Sequence, residues 1–275
     1  MTGIAIFLLV AGLLIAIPFV RRRLKRARQK EWMARPFPEE WDSYLRETFP
    51  RYVSLPEHAA EKLQQTMQVF LEEKGFEACG DLDEVTEEMK ILIAAQACLL
   101  LVGLEKHDFY SKLRSILVYP VAFHDRGRRR FDLHQEQERS MLGESWSSGS
   151  VILSWKSVRM GAKNDDDGMN VVIHEFAHQL DQADGAADGV PILSDRKAYN
   201  EWSRIFQREY EELVEDSEDR RADPLLDTYG AENPAEFFSV STETFFEESE
   251  EMEEEHPELY AALKKYYGLD PARWV

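Results

Sequence analysis

The segment VVIHEFAHQLD, residues 171 to 181, constrains this chain most, because it combines an apolar surround with the pattern His-Glu-x-x-His. No Gly or Pro interrupts the segment, so its composition predicts a buried helix. Residues four apart lie on one face of a helix, about 6 Å apart along its axis. His174 and His178 can therefore bind one metal ion. Glu175 stands beside the first histidine, placed to take a proton from a metal-bound water.

The ends of this helix are predicted from its flanks. Asp165 to Asp167 offer candidates for the N-cap, and Gly185 follows the last turn as a candidate stop. The alternative interpretation of the segment is an amphipathic helix that carries two histidines on its core side and binds no metal. A third ligand would favour the metal site, since catalytic zinc sites typically use three protein ligands and leave one position for water.

The segment TYGAENPAEFFSVSTETFF, residues 228 to 246, contains the best candidate for that third ligand. Asn233 as N-cap and Pro234 at the first helical position predict the start of a helix. Glu236 then lies in the first turn, among phenylalanines. Burial of an unpaired carboxylate is costly, and a zinc ion would be its partner. The alternative role of Glu236 is that of a capping-box carboxylate.

Two more carboxylates lie near these segments. Glu243, two turns after the third-ligand candidate, and Asp181, three residues after His178, can hold an imidazole through its second ring nitrogen. The alternative is that both are exposed or packing-related carboxylates. The other histidines follow no comparable pattern, and we interpret them as ordinary core or surface residues: His58, His107, His124, His134 and His256.

Composition limits the class of function. The chain has 52 acidic and 33 basic residues and a net charge of −19, which argues against a nucleic-acid-binding surface. The charge is uneven, since residues 21–30 hold seven positive charges and residues 247–258 are strongly acidic. Cys79 and Cys98 are the only cysteines, so the chain has no disulfide framework and no cysteine-rich zinc site.

Residues 3–20 are apolar without a break and would span about 27 Å as a helix, close to the roughly 30 Å of a hydrocarbon core. They predict a transmembrane anchor that contacts the lipid bilayer. The alternative, a cleaved signal peptide, lacks positive charge before the apolar run and a small-residue cleavage site after it. The basic residues that follow would place the rest of the chain in the cytoplasm, as a single-pass protein of the inner membrane.

Between the anchor and the histidine motif, the pattern predicts two helices and two strands. The helices run from Pro56 to about Lys74 and from Thr86 to Leu101. The second of them is too short for a membrane span and contains Gln96, so we expect a core helix. The strands are predicted at residues 115–123 and 151–158.

HEFAHQLD and YGAENPAEFF together resemble the Mlc titration factor A family of zinc peptidases and, more distantly, the catalytic domain of anthrax lethal factor. GESWSSGSVILSW, residues 143–155, resembles a third block of the titration-factor family. The likeness extends over most of residues 50–270. It implies that a regulator protein is a candidate partner.

The resemblance also assigns roles to five residues. By it, His174, His178 and Glu236 would ligate zinc, and Glu175 would be the general base. Tyr229 would match the family's active-site tyrosine, which donates a hydrogen bond to the developing oxyanion. The alternative role of this tyrosine is in the core.

We therefore expect an α+β fold: a mostly helical, zincin-like metallopeptidase domain with a small sheet, preceded by one transmembrane helix. The expected layout is an anchor at residues 1–20, a basic juxtamembrane segment and linker at 21–50, and the metallopeptidase-like domain at 51–275. The predicted function is a membrane-anchored peptidase with one zinc ion per chain and a peptide or protein substrate. The alternative is a zinc-stabilised regulatory module that sequesters a transcriptional regulator or another partner at the membrane.

Overall fold

A computed structural model describes residues 2–121, 149–219 and 221–274, with side chains described from residue 17 onward. In these parts the chain is mostly helical with a small sheet, which confirms the α+β prediction. The α-helices are α1 (Thr2–Met33), α2 (Glu39–Thr48), α3 (Pro50–Val53), α4 (Glu57–Glu73), α5 (Glu87–Leu99), α6 (Trp155–Lys163), α7 (Val171–Asp181), α8 (Arg196–Glu218), α9 (Pro234–Glu247), α10 (Ser249–Glu255) and α11 (Pro257–Tyr267). Two short 3₁₀ helices cover Thr228–Glu232 and Pro271–Arg273.

Three parallel strands form the described sheet, in the order β1 (Gly75–Ala78), β2 (Ser115–Tyr119) and β3 (Ser150–Ser154). Side chains alternate across a strand, so every second residue of β2 and β3 faces the core. These buried residues are Ile116, Val118, Val151 and Leu153. The sheet therefore presents one apolar face to the helices.

Both predicted strands are shorter than the sequence suggested. The first ends at Tyr119, before Pro120, which cannot donate a ladder hydrogen bond; residues 122 and 123 lie outside the described residues. The second ends at Ser154, and the expected continuation to residue 158 is wrong. The hydroxyl of Ser154 accepts a hydrogen bond from the backbone N–H of Ser157 at 3.4 Å, so this serine caps α6 instead.

The two predicted core helices are confirmed as α4 and α5, to within two residues at each end. Thr86 caps α5 by accepting from the backbone N–H of Met89 at 3.3 Å. The residues of α5 from Ile91 to Leu99 are all buried, including the polar Gln96. A buried amide needs partners, and one partner of Gln96 is Asn170, at the start of α7, as described below.

The predicted membrane anchor, and with it the single-pass inner-membrane location, is wrong. Across the residues whose side chains the structure describes, no helix is both long enough and apolar enough to cross a bilayer. The basic run is part of α1 and lies against α4. Lys25 forms an ion pair with Glu73 at 3.1 Å, and Gln29 donates a hydrogen bond to the same carboxylate at 2.8 Å. These contacts attach this part of α1 to the folded body.

Residues 31–50, which we expected to belong to a linker, contain α2. Leu45 and Phe49 from this region are almost completely inaccessible to solvent and belong to the hydrophobic core. The acidic stretch near the C-terminus forms α10, in which Met252 is buried. Both regions therefore contribute apolar side chains to the same core.

Aromatic packing positions α7 against the rest of the core. Phe176 is fully buried, with its ring centroid 5.7 Å from that of Phe70 and 4.9 Å from that of Tyr110. On the neighbouring α9, Phe238 packs against Trp202 of α8, and Phe245 packs against the ring of Tyr267 on α11. Burial of these large side chains is the main contribution to stability. Polar residues occupy the sides of α7 and α9 that face each other.

Gly189 lies in the connection from α7 to α8 and allows it to pass close to the first residue of α9. Its φ is +76°, and a Cβ there would lie 2.3 Å from the carbonyl oxygen of Pro234. Its own carbonyl accepts a hydrogen bond from the indole N–H of Trp202 at 3.1 Å. We expect Gly189→Ala to lower the free energy of unfolding through both backbone strain and this clash.

Gly185→Ala is the matched control, because Gly185 also has a positive φ, +110°, but a Cβ there would meet nothing closer than the Lys112 amine at 3.9 Å. The control should cost about 1–2 kcal/mol from strain alone, and Gly189→Ala should cost about 2 kcal/mol more. Urea unfolding measures both variants. Equal losses would show that the close approach to Pro234 contributes nothing.

Candidate metal centre

The histidine-bearing helix α7 begins at Val171, and Asn170 is its N-cap. The side-chain oxygen of Asn170 accepts hydrogen bonds from the backbone N–H groups of Val172 at 3.0 Å and Ile173 at 3.1 Å. The predicted caps at Asp165 to Asp167 are therefore wrong. Asp167 instead accepts from the backbone N–H of Met169 at 3.2 Å and forms the turn that leads into the helix.

The end of α7 and the start of α9 lie where the local sequence predicts them. α7 ends at Asp181, and Gly185 adopts its positive φ in the turn that follows. At the start of α9, Asn233 accepts from the backbone N–H groups of Ala235 at 3.0 Å and Glu236 at 3.1 Å, with Pro234 at the first helical position. The predicted helix start is confirmed.

The structure brings His174, His178 and Glu236 together, as the sequence predicted for three metal ligands. One carboxylate oxygen of Glu236 lies 3.0 Å from Nε2 of His174 and 3.2 Å from Nε2 of His178. The two imidazole rings stand nearly perpendicular, at 81°, with centroids 4.9 Å apart. Among the described residues, this is the one group of three potential ligands whose donor atoms all lie within 4.8 Å of one another.

These distances fit a tetrahedral metal ion. Zinc–nitrogen and zinc–oxygen bonds of about 2.0–2.1 Å place neighbouring tetrahedral ligand atoms about 3.3 Å apart. The observed separations of 3.0 and 3.2 Å are close to that value. Two imidazoles and one carboxylate also form a known ligand set of catalytic zinc sites. The residues present are therefore suited to hold a divalent metal ion.

The charges around His174 also favour a bound cation. Burial by itself lowers the pKa of an imidazole, but the carboxylates of Glu243 and Glu236 hold the pKa of His174 well above its usual range. Burial raises the pKa of a carboxyl group, yet the hydrogen bonds to both histidines hold the pKa of Glu236 well below its usual range. Two buried carboxylates are unfavourable without positive charge between them, and a metal ion can supply that charge.

Glu243 links this cluster to the N-cap of α7. Its Oε1 lies 2.6 Å from Nδ1 of His174. Glu243 therefore holds this imidazole, which is one of the two roles that we considered for it. Its Oε2 accepts a hydrogen bond from the backbone N–H of Asn170 at 2.6 Å. The side-chain amide of Asn170 in turn donates to Gln96 at 2.9 Å, and Gln96 donates to the carbonyl of Leu92 at 3.0 Å. A buried polar chain therefore runs from α5 to His174.

Gln96 and Asn170 were not predicted as site residues. A single amide inside the apolar run ILIAAQACLLLVGL is a signal that could have identified Gln96. Asp181, the other carboxylate considered, accepts a hydrogen bond from the backbone N–H of Val190 at 2.9 Å. It therefore holds the connection that follows α7.

The two predicted catalytic residues lie near the three candidate metal ligands. Glu175 is buried on α7, one residue after His174. Tyr229 lies in the 3₁₀ helix Thr228–Glu232, where Asp227 accepts a hydrogen bond from its backbone N–H at 3.0 Å. Its ring centroid lies 5.9 Å from that of His174. Burial and the nearby carboxylate of Glu236, to which it is hydrogen-bonded, raise the pKa of Tyr229, so its hydroxyl stays protonated and can donate.

No other described histidine joins this cluster. His58 is exposed, and burial lowers the pKa of His107 to about 4. His256 lies with its Nδ1 2.8 Å from the carboxylate of Glu209 on α8. His124, His134 and most of the GESWSSG block, residues 143–148, lie outside the described residues.

Comparison with known proteins assigns the chain to a family. Residues 22–268 match the model of the glucose-regulated metallo-peptidase M90 family. An uncharacterized protein of Synechocystis sp. is 42% identical over 247 residues, which cover 89% of each chain. Mlc titration factor A of Cronobacter sakazakii is 31% identical over 85% of this chain and 87% of its own. The homologue of the same name from Escherichia coli O7:K1 is 30% identical over 84% and 86%.

The family match spans both the histidine segment and the carboxylate segment, and the titration-factor relatives confirm the resemblance stated above. The chain belongs to the glucose-regulated metallo-peptidase M90 family.

Proposed function

We propose that this chain is a zinc-dependent peptidase in which His174, His178 and Glu236 hold one zinc ion per chain. The observation that carries the proposal is that three ligand atoms from two helices converge at distances close to those of a tetrahedral site. Membership of a metallo-peptidase family supports it. A peptide or protein is the substrate class that follows.

Each residue then has a defined task. A zinc ion held by these ligands would lower the pKa of a bound water towards about 7 and would polarise a carbonyl oxygen. Glu175 acts as the general base for the attacking water and passes the proton to the leaving amine. Tyr229 donates a hydrogen bond to the carbonyl oxygen as negative charge develops there. Glu243 keeps a proton on Nδ1 of His174 and so leaves the Nε2 lone pair for the metal.

A second candidate function is the capture of a protein partner. It is supported by the name of the relatives, Mlc titration factor A, which indicates binding of a regulator by those proteins. In this case the metal would stabilise the fold and Glu175 would have no chemical task. The two candidates therefore differ in what happens when Glu175 loses its charge.

We expect Glu175→Gln to keep one zinc ion per chain and to lose peptide hydrolysis by at least about 100-fold, since the amide cannot accept the proton. Metal analysis and hydrolysis of a peptide library, on both proteins, measure the two properties. Hydrolysis by wild type alone, with equal zinc, supports the peptidase. Equal zinc with no hydrolysis by either protein would favour partner capture.

We expect Tyr229→Phe to lower kcat by about 100-fold while KM changes little, because the lost hydrogen bond forms in the transition state. Steady-state kinetics on one cleaved peptide separate the two parameters. An increase in KM at unchanged kcat would assign Tyr229 to substrate binding, and no change in either would leave it a packing role only.

We expect Glu243→Gln to weaken zinc binding by about 10- to 100-fold, because the neutral amide no longer holds His174 as the carboxylate does. Glu247→Gln is the matched control. Glu247 lies one turn further along α9 and is also buried, but it accepts from the backbone N–H of Met169 at 2.8 Å and contacts no ligand histidine.

Competition with a chelator gives the zinc dissociation constants, and thermal unfolding of the metal-free proteins gives the loss of stability. If both variants weaken zinc binding equally, the effect comes from general loosening of α9 and the assignment to Glu243 is wrong.

A further inference from the structure

A cavity of about 520 Å³ lies between α1 and the residues around β2, and no residue of the metal centre lines it. Its walls carry a marked excess of positive charge. Five cationic side chains line it against one carboxylate, in a chain whose net charge is −19. These six residues are Arg21, Lys25, Arg28, Glu73, Lys74 and Arg114.

Helical spacing explains why α1 lines the cavity with cations. Arg21, Lys25, Arg28 and Trp32 are separated by four, three and four residues, so they form one stripe on the helix. The other arginines of the basic run fall on different faces. The cluster is therefore a product of the α1 geometry and of the way in which α1 lies on α4.

The one carboxylate of the cavity is already engaged. Glu73 pairs with Lys25 at 3.1 Å and accepts a hydrogen bond from Gln29 at 2.8 Å. Lys74 is buried at the cavity wall, where its amine donates to the carbonyl oxygens of Tyr110 at 2.6 Å and Leu113 at 3.0 Å. These contacts hold its position, and burial lowers the pKa of the Lys74 amine to about 8.

Within the described part of the chain, three guanidinium groups have no carboxylate as a counter-charge. Arg21, Arg28 and Arg114 are exposed, and none of them forms an ion pair with a carboxylate of the described residues. They approach the cavity from two elements, since Arg114 directly precedes β2. Such an arrangement of guanidinium groups fits an anion that offers several oxygens, because each can form two parallel hydrogen bonds to a phosphate.

We propose that this cavity binds a small, soluble anion that carries more than one phosphate charge, such as a polyphosphate or a phosphorylated metabolite. The guanidinium groups of Arg21, Arg28 and Arg114 contact the phosphate oxygens, and the Lys74 amine lies at the wall of the same cavity. Trp32, half-buried at the end of the stripe, offers an aromatic face to the remainder of the ligand. The site is independent of the proposed peptidase.

Calorimetric titration of the full chain with inorganic pyrophosphate tests the proposal. The cavity variant is Arg28→Gln with Arg114→Gln. The matched control is Arg22→Gln with Arg23→Gln, which removes the same charge from other faces of the same helix. Because the cavity variant loses charge-assisted hydrogen bonds to phosphate, it should bind at least about 10-fold more weakly than wild type. The control should bind within about 2-fold of wild type.

Removal of a bound metal by pyrophosphate would produce the same heat in all three proteins, so the difference between variants reports the cavity alone. All the substituted arginines are exposed, and thermal unfolding without pyrophosphate should be unchanged. No binding to wild type, or equal weakening in both variants, would overturn the proposal.

Sedimentation with phosphatidylcholine vesicles, with and without phosphatidylserine, tests a lipid phosphate as the source. Wild type could sediment with phosphatidylserine vesicles, lose this retention equally in both variants, and not bind pyrophosphate. That result would indicate a diffuse basic surface and would also overturn the proposal.

Discussion

The candidate metal centre depends on the way in which the buried carboxylate of Glu243 is paired. An unpaired carboxylate in the core would be strongly unfavourable, and both oxygens of this one are engaged, by His174 and by the backbone N–H of Asn170. One side chain of α9 thereby holds both the N-cap of α7 and a candidate metal ligand. A slide or rotation of one helix against the other would break both contacts at once, so the polar pairs define the register of the two helices.

Apolar packing and polar pairing have separate tasks in this core. The aromatic contacts of Phe176 with Phe70 and Tyr110 bury large areas, but hydrophobic contact is not directional and tolerates small shifts. The chain of hydrogen bonds from Gln96 through Asn170 to Glu243 has strict geometry. Packing supplies most of the stability, and the buried polar chain selects the arrangement that aligns the ligand atoms.

The distribution of charge shows why net charge describes this protein poorly. A chain of net charge −19 concentrates carboxylates around His174 and guanidinium groups around the α1 cavity. A basic run has the same composition whether it flanks a bilayer or packs on a neighbouring helix. The contacts of Lys25 and Gln29 with Glu73 show that this run packs on α4, and they join residues 44 or more positions apart along the chain.

Local sequence patterns predict the HExxH helix, the Asn233–Pro234 helix start, the cores of α4 and α5, and the residue types that can bind zinc. Helical periodicity and capping depend on residues within about four positions, so local patterns contain them. Three contacts depend on the tertiary structure: Glu236 reaches both histidines, Glu243 holds His174, and Gln96 supports the N-cap of α7. These contacts join residues 58 to 74 positions apart, and their distances follow from the packing of the whole core, which no short segment encodes.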